Sequence, residues 1–328
     1  MKKIMVTGAA GFIGYAIAKE LSNQPDVEVF VVDNYIRGDN DPEYRALCAL
    51  PSVTAFDIDL TDAAALSALP EDCEVIYHMA ALNGTQNFYE RPYDVLRCST
   101  LPTFHLLDRY APTGKLKRFV YAGSSEAYAG TVQKFDWPVP TAEDVPLCIT
   151  DTGNPRWSYG ASKLHGEVLV INACRQFPAD YTVIRYHNVY GPRMGDNHVV
   201  PDFISRMQQG VYALYGYDDT RSFIYVDDAV RATVMLAESD KAENETVNVG
   251  SERELKILDV GRAILDIAGV EAEIELNASP PGSVPRRAPD TSKLKALTDF
   301  REKWTLTDGL RECIDYYQQH PVAKQQAS

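Results

Sequence analysis

A glycine-rich turn near the N-terminus constrains this chain more than any other feature of its sequence. The run TGAAGFIG, from Thr7 to Gly14, follows a short apolar segment and opens a helical pattern that continues to Leu21. Glycines let the backbone turn sharply and approach a pyrophosphate, and the start of the helix offers free amides and its positive dipole end. The spacing therefore predicts a strand–turn–helix unit that binds the phosphates of a dinucleotide.

An acidic residue at the end of the next predicted strand supports the same interpretation. The apolar run 27–32 ends at Asp33, whose carboxylate can accept hydrogen bonds from both ribose hydroxyls of an adenosine. A carboxylate in this place repels a 2′-phosphate, so the sequence favours NAD over NADP as the cofactor. Arg37, four residues later, could offset that repulsion, and the use of NADP therefore stays open.

Short apolar segments alternate with helical patterns as far as about Tyr190. We predict strands at 3–7, 27–32, 53–57, 74–79, 118–122 and 181–186. We predict helices at 61–69, 87–110 and 158–176, the second with a kink or a delayed start at Pro102. Because tight hairpin signals are missing, this alternation predicts an α/β fold, a Rossmann-like doubly wound parallel sheet.

Proline and glycine become frequent after Tyr190, which predicts a smaller, partly discontinuous C-terminal substrate-binding domain. We assign residues 1–189 to the dinucleotide-binding domain, with a returning segment near 222–248. Residues 190–221 and 249–328 form the substrate domain. Helices are expected there and in the returning segment at 199–209, 227–237 and 256–268, and the tail beyond about His320 is expected to fray.

Composition and charge exclude several classes of partner. The net charge of −14 argues against nucleic acid, which needs a basic surface. Six widely spaced cysteines and six scattered histidines predict neither a disulfide framework nor a metal site. The sequence has no leader pattern and no apolar run long enough to span a bilayer. We therefore expect a cytoplasmic protein with no membrane partner.

Tyr159 and Lys163 are the candidate catalytic pair. They stand four residues apart in a predicted helix, so their side chains lie on one face, one turn apart. The lysine charge favours the phenolate, and a phenolate near neutral pH is a general base for a sugar hydroxyl. Such a pair often arises by chance, and it gains weight here from the glycine turn and Asp33.

Together with other motifs, these residues resemble the extended short-chain dehydrogenases/reductases, and more narrowly the NAD-dependent nucleotide-sugar epimerases, dehydratases and decarboxylases. The resemblance covers nearly the whole chain. Beyond the glycine turn and the Tyr159/Lys163 pair, it rests on the motifs HMAA from His78, GSSEAY from Gly123, RYHNVYGPR from Arg185, RSFIYVDD from Arg221 and PRRAPD from Pro285. It implies NAD as cofactor and a nucleotide-sugar substrate, most often carried on UDP.

The resemblance also implies roles for single residues. Tyr159 would be the base, Lys163 would lower its pKa and bind the nicotinamide ribose, Ser124 would orient the substrate hydroxyl, and Glu126 would act beside them. The implied cofactor-binding residues are Gly8, Gly11, Phe12, Ile13, Gly14, Asp33, Asn34, Arg37, Asp59 (or Asp57), Leu60, Ala80, Ala81, Tyr159, Lys163 and Tyr186. The implied substrate-binding residues are Asn83, Thr85, Ser125, Asn188, His198, Val199, Leu214, Tyr215, Arg221, Arg287 and Asp290.

Three reactions share the first step, oxidation of a sugar hydroxyl, most often at C4. We rank an epimerase first, a UDP-glucuronate decarboxylase second and a 4,6-dehydratase third. Glu126 fits the last two, but many epimerases carry it merely bonded to backbone, and Arg287 can hold a uronate in the decarboxylases. A non-catalytic NAD-binding regulatory protein is a further alternative, disfavoured because Ser124, Tyr159 and Lys163 occur together.

Some positions depart from the family pattern, and one feature bears on assembly. Ser99 and Pro102 stand where relatives usually carry asparagine and glycine, and the loop 83–85 is not typical of galactose epimerases, which leaves the sugar open. The apolar stripes of helices 87–110 and 158–176 fit ordinary core packing. The resemblance implies in addition a homodimer through a four-helix bundle.

Overall fold

The computed structural model describes residues 1–195, 198–279 and 283–320. Its strands are β1 (Lys2–Thr7), β2 (Val27–Asp33), β3 (Val53–Asp57), β4 (Val75–His78), β5 (Arg118–Ser124), β6 (Asp180–Tyr186), β7 (Val189–Tyr190), β8 (Ala213–Tyr215), β9 (Thr220–Ser222), β10 (Ile224–Tyr225), β11 (Glu245–Val249), β12 (Glu254–Lys256), β13 (Glu275–Asn277) and β14 (Arg286–Arg287). Its helices are α1 (Phe12–Ser22), α2 (Pro42–Cys48), α3 (Thr85–Glu90), α4 (Pro92–Tyr110), α5 (Ala129–Phe135), α6 (Ser158–Gln176), α7 (Val199–Gln208), α8 (Val226–Glu238), α9 (Ile257–Ala268), α10 (Ser292–Leu297) and α11 (Leu306–Gln319).

Within the described ranges, seven strands form a parallel sheet in the order β11-β6-β5-β4-β1-β2-β3. The chain runs outward from β1 through β2 to β3 and then returns to the other side of β1 with β4. Thr7, the last residue of β1, is paired with both Val32 and His78, so a crevice opens between the ends of β1 and β4. Ligands of such sheets bind at this reversal of strand order. The predicted Rossmann-like α/β fold is confirmed.

Helices cover both faces of the sheet. Val6 of β1 packs in a cluster with residues of α1 and α8, while its neighbour Met5 points to the opposite face, toward α4 and α6. Because both faces are buried, the central strands are continuous apolar runs instead of alternating ones. This is why the strands were predictable from short apolar segments alone.

The smaller strands lie beyond the carboxyl end of the sheet. β12, β9 and β14 form one small sheet, β8 pairs with β13, and α7, α9 and α11 pack around them. The segment between them supplies α8 and β11, and β11 pairs with β6 at the edge of the large sheet. The proposed division into two interleaved domains stays a prediction. No helix in the described part of the chain is long and apolar enough to cross a membrane.

The helix predicted at 61–69 is wrong. Only Ala65–Ala68 forms a helical turn, of the 3-10 type. The side chain of Asp59 accepts a hydrogen bond from the backbone N–H of Thr61, and that of Asp62 accepts one from Ala64. These local bonds satisfy backbone groups that an α-helix would otherwise use.

The helix predicted at 87–110 is instead two helices. α3 ends at Glu90, Arg91 has φ −136° and ψ 47°, and Pro92 opens α4. A proline disfavours the helical conformation of the residue before it, and its own position at the first turn is well tolerated. α4 runs through Pro102, so the start is not delayed to that residue. The expected fraying beyond His320 lies outside the described residues.

Candidate active site

One continuous cavity of about 1240 Å³ extends from the carboxyl ends of the central strands to the smaller sheets. Every predicted site residue lines it except Asp290, whose carboxylate accepts a hydrogen bond from the backbone N–H of Ser292 at 2.8 Å. Asp57, the alternative to Asp59, is also absent from the lining. The structure therefore brings together residues that are up to about 280 positions apart in the chain, as the strand order requires.

The glycine turn is built so that side chains do not fit. Gly8 has φ 68°, and a Cβ added there would lie 2.8 Å from the Ala80 Cα atom. A Cβ on Gly14 would lie 2.1 Å from the Gly8 carbonyl oxygen. The following helix begins after Gly11 without any side-chain cap, so its first N–H groups are available to a ligand. This arrangement fits the pyrophosphate of the predicted NAD.

Asp33 connects the turn to the end of β2. Its two carboxylate oxygens accept hydrogen bonds from the backbone N–H groups of Ala10 at 2.9 Å and Tyr35 at 2.8 Å. Burial raises the pKa of Asp33, and these backbone bonds partly oppose the rise. Each oxygen can still accept another hydrogen bond, which suits a ribose diol at the mouth of the cavity. Arg37 also lines the cavity and lies beside the backbone of Gly84 and Gly195.

The candidate catalytic pair lies on one face of α6, as predicted, and is buried. The Lys163 Nζ atom donates a hydrogen bond to the Ala122 carbonyl oxygen at 2.7 Å and lies 5.5 Å from the centre of the Tyr159 ring. Burial lowers the pKa of Lys163 to about 8, and the charge of Glu167 opposes this. Lys163 therefore holds its position through the backbone of β5, the strand that ends in Ser124.

The phenol of Tyr159 is held between polar groups. Burial raises the pKa of Tyr159 above its usual value, the charge of Glu126 raises it further, and a hydrogen bond with Ser124 lowers it. The expectation that Lys163 lowers the pKa of Tyr159 stays a prediction. The Ser124 hydroxyl oxygen also accepts a bond from the backbone N–H of Glu126 at 3.2 Å. Ser124 is thus placed to share a proton with Tyr159.

Sequence reasoning missed Arg156, which joins Glu126 and Arg287 in one ion cluster. The Glu126 Oε2 atom accepts a hydrogen bond from Arg156 Nη2 at 2.9 Å, and its Oε1 atom pairs with Arg287 Nη1. All three side chains are at most 14% exposed and line the cavity. Burial alone would raise the pKa of Glu126, but the charges of Arg287 and Arg156 lower it to about 2. Glu126 is therefore a carboxylate, and the cluster carries a net charge of about +1.

Two donors of this cluster have no partner among the described residues. They are Arg156 Nη1 and Arg287 Nε, both buried. A buried donor without a partner is costly, so an anion that enters the cavity gains by accepting these bonds. A single arginine three residues before Tyr159 carries no periodic signal, which is why the sequence did not reveal it.

The far end of the cavity carries the residues predicted to bind the nucleotide. Pairing of β9 with β14 sets Arg221 beside Arg287. Burial and the charge of Arg287 lower the pKa of Arg221 to about 10. The side chain of Asn188, a residue with φ 31°, donates to the Ser222 carbonyl oxygen at 2.9 Å. The remaining members of the predicted group line this end of the same cavity: His198, Val199, Leu214 and Tyr215.

Comparison with known proteins agrees with this geometry. The model of the NAD dependent epimerase/dehydratase family matches residues 4–250. The UDP-N-acetyl-alpha-D-glucosaminuronate decarboxylase of Bacillus cytotoxicus is 31% identical, over 97% of this chain and 98% of the relative. The UDP-glucuronic acid decarboxylase 1 of Xenopus tropicalis is 29% identical, over 96% of this chain and 72% of the relative.

Solved structures give the same result. The UDP-glucuronic acid 4-epimerase of Bacillus cereus, in complex with UDP-glucuronic acid and NAD, superposes with a TM-score of 0.85 and 26% identity, covering 97% of this chain and 99% of that one. The UDP-glucose 4-epimerase of Thermotoga maritima gives a TM-score of 0.84 at 26% identity, with 97% and 99% coverage. The chain therefore belongs to the NAD dependent epimerase/dehydratase family of enzymes, and its cofactor is NAD.

Proposed function

We propose that this protein is a UDP-hexuronate 4-epimerase, which oxidises C4 of the sugar and returns the hydride to the opposite face. The observation that carries the proposal is the cluster of Arg156, Glu126 and Arg287 beside Tyr159 in the cofactor cavity. It supplies a site of net positive charge where the sugar lies. The relatives named above that act on UDP-linked uronates support the same substrate class.

The charge balance favours a uronate over a neutral sugar. Two buried arginines share a single carboxylate, and each has a buried donor with no partner in the part of the chain that the structure describes. The C6 carboxylate of a hexuronate can accept both bonds and neutralise the remaining charge, and guanidinium groups suit it because they present paired donors. A C6 hydroxyl carries no charge and leaves the cluster uncompensated.

The other side chains of the cavity have proposed roles in proton transfer and in binding the cofactor and the nucleotide. Tyr159 accepts the proton of the C4 hydroxyl, and Ser124 orients that hydroxyl and shares its proton. NAD, when bound, supplies the hydride acceptor for C4. Lys163 binds the nicotinamide ribose and stabilises the Tyr159 phenolate. Arg221 and Asn188 bind the diphosphate of the nucleotide at the far end of the cavity.

Decarboxylation is the second candidate, and one observation favours it. Among the described residues, the Glu126 carboxylate bonds to the two arginines, whereas in many epimerases that carry this glutamate it is merely bonded to backbone. After oxidation at C4 the sugar is a β-keto acid, and its C5–C6 bond can break. Carbon dioxide then leaves, the electron pair forms the C4–C5 enolate, and C5 takes a proton. An arginine already paired with Glu126 holds the departing carboxylate less firmly, which makes this loss easier.

Dehydration is disfavoured by the same cluster. A 4,6-dehydratase needs a free carboxylate to remove the C5 proton, and the pKa of about 2 makes Glu126 a weak base.

The decisive experiment is incubation of the purified protein and NAD with UDP-glucuronate, UDP-N-acetylglucosaminuronate, UDP-glucose and UDP-N-acetylglucosamine, with products read by NMR. We expect inversion at C4 of a uronate and no reaction of the neutral sugars. Release of carbon dioxide would establish the second candidate instead. Turnover of a neutral sugar alone would contradict the uronate proposal. Tyr159→Phe is the control, expected to retain NAD and lose turnover, and turnover by that variant would contradict the assigned base.

We also propose that two copies of the chain assemble through α4 and α6. The two helices pack against each other, and their outer faces expose Leu96, Phe104 and Val168, with exposures of 39–51%. A second copy placing the same face against them would bury these apolar side chains in a four-helix bundle. Light scattering of the purified protein tests this, and a monomer would exclude it.

A further inference from the structure

The ring of Phe88 lies against the ring of Tyr159. The two ring centres are 5.2 Å apart and the planes differ by 14°, so the rings are stacked. Phe88 is 6% exposed and Tyr159 8% exposed. Offset stacking at this distance is a favourable arrangement of two aromatic rings. Nothing in the sequence pattern had singled out Phe88, because it fell within a helix predicted to be continuous.

The position of Phe88 is fixed by the short helix α3 and by the side chains that pack against it. α3 is separated from α4 at Arg91, and it begins after Gly84, which has φ 114°. The Asn87 side chain donates to the Asn83 carbonyl oxygen at 2.8 Å and fixes this start. The face of α3 that carries Phe88 packs in an apolar cluster with Leu82, Val95, Cys98 and Ala81. The Phe88 ring therefore belongs to a packed apolar cluster that also contains Tyr159.

The other surroundings of the phenol are polar or charged. Ser124 bonds its hydroxyl, the Glu126 carboxylate faces it, and the Lys163 ammonium lies beside its ring. Tyr121 of β5 is a further titratable neighbour of Tyr159, and Cys98 packs against the same apolar cluster. Phe88 thus provides an apolar wall that covers one face of the ring, while the hydrogen bond with Ser124 is made at the hydroxyl end.

We propose that Phe88 is a positioning residue for Tyr159, holding the phenol ring so that its hydroxyl stays directed at Ser124 and the reacting sugar hydroxyl. This inference rests on the proposed function of Tyr159 as the base. Proton transfer requires hydrogen-bond geometry, and a small displacement of a catalytic group reduces the rate strongly. Phe88 also lines the cavity, but its ring has no group that could take part in the proton transfer, so its proposed effect on the reaction is exerted through Tyr159.

Three variants separate ring stacking from simple filling of space. Phe88→Ala removes the wall, Phe88→Leu keeps apolar volume without a ring, and Phe88→Tyr keeps the ring. We expect kcat to fall about tenfold in Phe88→Ala and less in Phe88→Leu, with KM changed less than about twofold, and Phe88→Tyr to retain wild-type kcat. Phe56→Leu is the matched control, since Phe56 pairs with Phe30 outside the cavity lining.

A second readout does not depend on turnover. In protein carrying tyrosine labelled with ¹³C at Cζ, the Tyr159 signal is assigned by its loss in Tyr159→Phe and titrated with pH. Burial raises the pKa of Tyr159, so Phe88→Ala, which admits water to the ring, should lower it, while Phe56→Leu should not. The charged neighbours Glu126 and Lys163 are unchanged in every variant.

Unchanged kcat together with an unchanged Tyr159 titration in Phe88→Ala would overturn the inference. If Phe88→Ala does not fold, Phe88→Leu takes its place, and equal kcat in Phe88→Leu and the wild type would overturn the inference as well. If the wild type turns over no nucleotide sugar, the proposed function fails, while the NMR titration still tests the contact between Phe88 and Tyr159.

Discussion

Replacing Glu126 by glutamine tests the charge balance on which the proposed substrate rests. The pKa of this carboxyl is lowered from 4.5 to about 2 by Arg287 and Arg156, against the opposing effect of burial. A difference of this size corresponds to about 3 kcal/mol of folding free energy at neutral pH. Glutamine has nearly the same shape but no charge, so Glu126→Gln should lower the free energy of unfolding at pH 7 by about 3 kcal/mol.

The pH dependence of this loss has a definite sign. The pKa of Glu126 is lower in the folded than in the unfolded chain, so its stabilising effect is complete above about pH 4.5 and is lost as the pH falls toward 2. The difference between wild type and Glu126→Gln should therefore be constant from pH 7 to about pH 5. By pH 3 it should narrow to about half, roughly 1.4 kcal/mol.

Urea denaturation followed by tryptophan fluorescence measures this difference, and Trp157 adjoins Arg156 in the cluster. Glu254→Gln is the matched control. Glu254 pairs with Arg286, the neighbour of Arg287 in β14, and this ion pair is more exposed than the pairs of Glu126. The control should lose less than about 1 kcal/mol. If Glu126→Gln loses no more than Glu254→Gln, or if the difference does not shrink in acid, the reasoning about the cluster is refuted.

Three further predictions concern the cofactor turn and the assembly. Gly14→Ala should abolish NAD binding in calorimetry, because its Cβ would lie 2.1 Å from the Gly8 carbonyl oxygen, and near-native affinity would contradict this. Asp33→Asn should weaken NAD binding about tenfold and narrow the preference for NAD over NADP, since the repulsive charge is gone; an unchanged ratio of the two dissociation constants would show that Asp33 does not set this preference. Phe104→Glu should convert a dimer into a monomer in light scattering, whereas Phe135→Glu on α5, 62% exposed, should not; equal behaviour of the two would exclude the α4–α6 interface.

The elements that carry a continuous apolar or helical pattern were predicted well. The strands buried on both faces are short apolar runs, and α6 spans Ser158–Gln176 as expected. The failures lie where backbone conformation is decided by single residues. Pro92 separates α3 from α4, and the side chains of Asp59 and Asp62 replace most of a helix by turns. The residues around these positions have a helical pattern whether or not the helix is interrupted, so periodicity alone could not reveal the breaks.

The residues of the candidate site also fall into two groups, those that could be predicted from the sequence and those that could not. The glycine turn, Asp33 and the Tyr159/Lys163 pair were recognisable because their chemistry requires fixed spacings within one strand–helix unit. Arg156 and Phe88 were not, because their roles come from contacts between segments. Phe88 faces Tyr159 from a helix about 70 residues earlier, and Arg156 meets Arg287 through the shared carboxylate of Glu126. Only the folded chain shows these contacts.

In the proposed mechanism the first step and the net reaction depend on different parts of the cavity. Tyr159, Ser124 and Lys163 lie at the end of β5 and on α6, where they would remove the proton of the hydroxyl while bound NAD accepts the hydride, whatever reaction follows. The fate of the keto sugar depends on how firmly its carboxylate is held, because decarboxylation removes the negative charge from C6 while epimerisation keeps it there. Full pairing with two arginines stabilises that charge and slows the loss of carbon dioxide. Glu126 offsets about half of the positive charge of Arg156 and Arg287, so we propose that this one carboxylate adjusts the balance between the two outcomes.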